Sequence, residues 1–155
     1  MKFHLGSLRI SSPVFAHGGR IPVRFSTDGE GISPELVFDG VPSGTQELAL
    51  VCHDPDAPMT YGFTHWVLYG IPADAGGIPE GGGSQYTQGV NELGNPGWVP
   101  PAPPPGHGDH FYYFHLFALD AKLDLQPGLD RAGLLAAIDD HITEQARLVG
   151  LYSRT

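Results

Sequence analysis

The sequence predicts a mainly β domain of the α+β class with one helix near its C-terminus. Apolar residues make up 41% of the chain, and they fall in short runs rather than long ones. The 22 glycines and 15 prolines are spread between those runs, so the chain turns often. Only near the end does a stripe of period 3.6 replace the short runs.

Taken in order, Ile21–Ser26, Glu35–Phe38, Glu47–His53, His65–Ile71 and His110–Leu119 read as strands. Each alternates or is continuously apolar, and each is bounded by breakers. Asp28-Gly29, Ser33-Pro34, Pro42-Ser43-Gly44 and Pro72-Ala73-Asp74 supply the turns. Ala75 to Gly83 is a glycine-rich loop that no Gly-Lys-Ser/Thr follows, which excludes a phosphate loop. Gly94 to Gly108 is too rich in proline and glycine for a helix or a central strand. From Asp130 onward, Leu134, Ile138, Ile142, Ala146 and Val149 form one apolar stripe. This predicts a helix with Asp130 as N-cap, Arg147 in its last turn and Gly150 as the terminating glycine.

The length of 155 residues fits a single domain, residues 1–155, without an internal repeat or linker. Eight Lys and Arg against 17 Asp and Glu give a net charge of −9. That balance argues against nucleic acid and against anionic membrane surfaces, both of which are held by clustered cations. The lone Cys52 leaves no intramolecular disulfide and fits a reducing compartment. Residues 1–9 carry no apolar h-region, and no stretch is long enough to span a bilayer. The expectation is a cytoplasmic globular protein without a stable membrane anchor.

Three segments carry chemistry. In Cys52-His53-Asp54-Pro55-Asp56-Ala57-Pro58, the prolines hold Asp54 and Ala57 extended and stiffen the approach of both carboxylates. The bland alternative is that Asp54 and Asp56 only bond nearby N–H groups in Asx-turns. His65 opens an apolar strand with Trp66 on the opposite face, a position often filled by a hydrogen-bonded core histidine. In His110-Phe111-Tyr112-Tyr113-Phe114, His110 and Tyr112 share one strand face, while Phe114 and Phe117 read as packing. An imidazole N–H and a phenolic O–H on one face can together hold an oxyanion.

The order of these motifs resembles the phosphatidylethanolamine-binding protein (PEBP), or Raf kinase inhibitor-like, family in its bacterial form. The matching residues are Asp54-Pro55-Asp56-Ala57-Pro58, His65-Trp66, Pro103-Pro104-Pro105-Gly106 and His110-Phe111-Tyr112. Asp28-Gly29-Glu30-Gly31-Ile32-Ser33-Pro34 and Asn91-Glu92-Leu93-Gly94 also match, so the likeness runs from about Ser11 to Tyr152. It implies a large antiparallel sheet packed against a smaller one, with a small-anion pocket at one end. By motif the pocket falls to Asp54, His65, His110 and Tyr112, with Asp56, Pro104, Ala102 and Phe63 as further candidates. In that set the carboxylate would fix the tautomers of both imidazoles and raise their proton affinity, so that they present N–H groups to the anion.

The resemblance further implies a binding or regulatory protein for a small anionic or phosphorylated ligand. A kinase or protease target belongs to the same expectation, as does a homodimer with an exposed Trp98-Val99-Pro100 as one contact. No cofactor or resident metal is implied. Two departures stand out: Phe111 where the family usually has Arg, and Pro100-Pro101 where it often has glycine. The first removes a cation from the rim and the second removes main-chain donors. Competing readings are an acid–base enzyme built on the same Asp/His/His/Tyr set, and a metal site. For the latter, His53, Asp54, Asp56, His65, His107, Asp109 and His110 provide donors but no familiar ligand spacing. Cys52 has no identifiable base, so no nucleophile stands out.

Overall fold

A computed structural model describes residues 5–155. The segment read for a leader therefore lies partly outside the described residues. Nine strands and one α-helix follow in the order β1 (Arg9–Ser11), β2 (Gly19–Arg20), β3 (Leu36–Asp39), β4 (Glu47–Asp54), β5 (Phe63–Pro72), β6 (Gly77–Ile78), β7 (Thr87–Gln88), β8 (His110–Leu119), α1 (Arg131–Ile138) and β9 (Ile142–Tyr152). The large sheet has six strands in the order β2-β9-β8-β4-β5-β7, and β1-β3-β6 form a three-stranded sheet. Pairing is antiparallel throughout except where β2 runs parallel to β9.

The centre of the large sheet is buried on both faces, which is why β4 reads as a nearly continuous apolar run. Leu48, Leu50, Cys52, Trp66, Leu68, Tyr112, Phe114 and Leu116 face the small sheet. Ala49, Val51, Val67, Tyr69 and Phe117 face the other way, under Leu134 and Ile138 of α1. Gly70, at φ 63°, sits at the irregularity in the β4–β5 register. Its left-handed conformation inserts an extra residue, so Tyr69 faces the helix while Ile71 still reaches the opposite core.

Four of the five expected strands are present, each within two residues of its expected ends. The exception is Ile21–Ser26. Pro22 cannot donate to a ladder, and Val23–Phe25 close a 3-10 turn that buries Ile21 and Phe25 instead.

The C-terminal helix is shorter than expected. Asp130 is its N-cap, accepting from the Gly133 N–H at 2.7 Å, but the helix stops at Ile138. Asp139–His141 form a 3-10 turn and Ile142–Tyr152 become β9, which pairs with β8 on the side away from β4. The spacing of Ile138, Ile142 and Ala146 is four residues, which fits a strand as well as a helix. Leu148, buried but off the helical stripe, follows with Gly150 and Tyr152 the period of two. Pairing with the otherwise open edge of β8 decides between them. Arg147 accordingly lies on β9 opposite His115 rather than in a helical turn, and Gly150 pairs with Tyr112 and β2.

No helix among the described residues is long and apolar enough to cross a membrane.

Candidate functional site

The pocket forms where β4, β5 and β8 present their ends to the loop from Val99 to Pro104. A cavity of about 200 Å³ is lined by Asp54, His65, His110 and Tyr112, with Phe63, Met59 and the proline-rich loop as apolar wall. Ala102, Pro104 and Phe63 line it as well, whereas Asp56 does not. The Asp56 carboxylate instead accepts the Phe111 N–H at 2.8 Å and fastens the start of β8.

Asp54 ends β4 and is almost fully buried. One carboxylate oxygen accepts the Asp56 N–H at 2.8 Å, and the other accepts from His110 Nδ1 at 2.7 Å. The aspartate thus closes an Asx-turn and orients one of the two histidines. His110 opens β8, and its Nε2 lies 2.6 Å from Nδ1 of His107, so one proton is shared between the two rings. Asp54, His110 and His107 form a continuous chain in which neither ring nitrogen of His110 is left open.

His65 is bound differently. Its Nδ1 sits 2.6 Å from the Val99 carbonyl, which can only accept, so Nδ1 carries the proton. Burial pushes its pKa down to about 4, against the opposing pull of the Val99 bond and Asp54. The neutral ring therefore offers Nε2 as an acceptor. This corrects the expectation that both imidazoles present N–H groups: desolvation outweighs the aspartate at His65, and His107 already takes the outer nitrogen of His110.

Tyr112 packs edge-on against His65 with ring centroids 5.1 Å apart. Burial, then Asp54, raises its pKa well above the ordinary phenol range, so it stays an O–H donor. Trp98, expected as an exposed contact, stacks instead on Phe114 and meets Trp66 edge-on, which fixes the loop that carries Val99.

Of the residues considered as metal donors, His53 faces away from Asp54 and bonds Thr64 Oγ1 at 3.0 Å. Asp109 lies 3.8 Å from Arg20 at the surface. Sequence reasoning did not assign Val99 or Met59 to the pocket, or His107 to the hydrogen-bonded chain behind it. The proximity of His107 to His110 in the sequence was a usable signal, whereas the Val99 carbonyl had none.

A family model described as phosphatidylethanolamine-binding protein matches residues 11–153. The chain belongs to the PEBP family. A UPF0098 protein of Methanothermobacter thermautotrophicus is 44% identical over 95% of this chain and 99% of its own length. Another, from Aquifex aeolicus, is 39% identical over 95% of this chain and 89% of its own. Relatives therefore include archaeal as well as bacterial proteins. Among solved structures, a putative PEBP homolog from Chlamydia trachomatis superimposes with a TM-score of 0.91 at 35% identity, covering 96% of this chain and 99% of its own. E. coli YbcL, described as a member of the mammalian PEBP family, gives 0.88 at 26% identity over 97% and 100%. In PEBP terms the fold is the expected one, a large and a small sheet with a short C-terminal helix.

Proposed function

We propose that this PEBP is a binding protein whose cavity takes a small phosphorylated or carboxylic group together with one proton. The observation that carries the reading is the pairing, in one small cavity, of a proton-accepting His65 Nε2 with the Tyr112 hydroxyl, a donor. A fully ionised group would meet the Asp54 carboxylate with no Lys or Arg among the described residues lining the cavity. A P–OH or COOH group offers its proton to His65 and its second oxygen to Tyr112. The same bound state is reached when His65 is protonated first and the ligand arrives ionised.

Isothermal titration with phosphate and with sulfate at about pH 5.5 and about pH 8 tests this. Phosphate keeps at least one proton throughout that range and sulfate keeps none, so phosphate should bind more tightly at both values. Both affinities should rise as pH falls, because the bound state holds one more proton. Tyr112→Phe should cost about 1 kcal/mol, roughly fivefold in affinity. Equal binding of both anions at both pH values, unaltered by Tyr112→Phe and His65→Gln, would place any anion elsewhere.

A second reading, an acid–base enzyme, rests on the Asp54–His110–His107 chain, the arrangement of a proton relay. It requires His107 to leave His110 Nε2 when a substrate enters. Turnover of an ester or enolisable substrate that His110→Ala abolishes would favour it over binding alone.

A further inference from the structure

The opposite face of the same sheet holds a group of basic side chains, two guanidinia and two imidazoles, that the pocket does not use. His115 lies on β8 directly opposite Arg147 of β9. His53 of β4 is opposite Tyr113, which makes it the diagonal neighbour of His115 on the helix-facing side. Arg131, the first residue of α1, comes over this row from above. It lowers the proton affinity of both His53 and His115, and so lies within electrostatic reach of each.

Two polar atoms here are shut off from solvent without a hydrogen-bond partner among the described residues: Arg131 Nε and His115 Nε2. Such atoms carry a cost of roughly 1–3 kcal/mol each unless something bonds them. The two guanidinia are also without a carboxylate among the described residues. That is unexpected in a chain with 17 acidic side chains and only eight Lys and Arg. Arg20, Arg24 and Arg154 all lie against Asp or Glu. The carboxylates around it are committed elsewhere: Glu92 accepts the Thr64 N–H at 3.0 Å, Asp130 accepts the Gly133 N–H at 2.7 Å, and Asp54 acts on His53 from the other face.

We propose that Arg131, His115 and Arg147 form a second site for a phosphoryl group, across the sheet from the Asp54 cavity. His115 and Arg147 are paired across β8 and β9, and Arg131 of α1 acts on the same imidazole, so three elements offer donors to the separate oxygens of a tetrahedral anion; a planar carboxylate would leave one donor unmet. Two guanidinia match the charge of a dianion. A hollow of about 530 Å³ adjoins the row through His53 and Arg131, and Asn91, Glu92 and Asp130 also line it. Its acceptors suit the hydroxyl-bearing remainder of a small phosphomonoester. Burial, then Arg147 and Arg131, holds His115 near a pKa of about 4 in the empty site, and a bound anion lifts it.

The test is a nitrogen-15 NMR titration of the full chain carrying Tyr112→Phe, which weakens the Asp54 cavity roughly fivefold, with binding read from the His115 and Arg131 signals so that the two sites are told apart. The probes are inorganic phosphate and glycerol 3-phosphate. Saturable shifts of the His115 imidazole and the Arg131 Nε–H are expected. Arg131→Gln and Arg147→Gln should each weaken binding roughly tenfold, the size of one charge-assisted hydrogen bond. Both positions are at least partly exposed, and a thermal melt confirms that each variant is folded. Tighter binding of glycerol 3-phosphate assigns the site to an ester, and tighter binding of phosphate to the free ion. If neither probe moves the His115 and Arg131 signals, or if both variants bind like the parent, the proposal is wrong.

Discussion

Lowering the pH should unfold this protein through His65, and the size of the effect follows from its surroundings. The unfolded imidazole takes a proton as pH falls through about 6.5, whereas the buried ring resists until about 4. Between those values the unfolded state binds more protons, so stability that is complete above pH 6.5 is lost as pH falls toward 4. The full displacement corresponds to about 3 kcal/mol, and about 2 kcal/mol of it is gone by pH 5. This is a large fraction of the 5–15 kcal/mol typical of a domain. His115, held near 4 mainly by burial, adds a loss of the same sign. The assay is urea unfolding at about pH 8 and about pH 5 in buffers without phosphate or carboxylate, on wild type and His65→Gln. Glutamine keeps a donor for the Val99 carbonyl but does not titrate. The variant should lose about 2 kcal/mol less than wild type between the two conditions. An identical loss in both proteins would mean that His65 is not the buried neutral base described above.

Ile142→Asp should destabilise severely, by several kcal/mol, because it buries an unpaired carboxylate among Leu134, Ile138 and Leu119; a melting temperature within a degree or two of wild type would refute it. Gly89→Ala should cost about 1–3 kcal/mol. Its Cβ would lie 2.4 Å from both the Leu129 carbonyl oxygen and a Val67 methyl; calorimetry checks this. Cys52 is fully buried, and burial raises its thiol well above the usual range, so it should resist an aromatic disulfide reagent until urea unfolds the chain.

Much of the site was legible before folding because its residues belong to short, rigid motifs. Asp54, His65, His110 and Tyr112 were assigned through the family's motifs, and β4, β5 and β8 bring them round one cavity. Their number could be read because strands have a fixed alternation: it separates His110 from Phe111 and His53 from Asp54 without any tertiary information. What each imidazole can do was not legible. Asp54 acts on His110 by direct contact, but the state of His65 depends on a carbonyl 34 residues away and on how thoroughly water is excluded. Proton affinity is set by desolvation against local charge, and neither exists until the loop from Val99 to Pro104 closes over the strands.

The same division runs through the fold. Apolar alternation and breakers determined the central strands, because a two-residue period admits one burial pattern once a core forms. The end of α1 was decided elsewhere. Residues Ile142 to Tyr152 satisfy the helical and the extended period alike over their first turn, and local propensity leaves the choice open. Only the ten-residue edge of β8, with its unpaired N–H and C=O groups, makes the strand the more stable answer. Sequence by itself thus determined which residues could serve the site and which must be buried. Tertiary structure decided the protonation of the site and the course of the last strand, because both depend on groups that approach from distant parts of the chain.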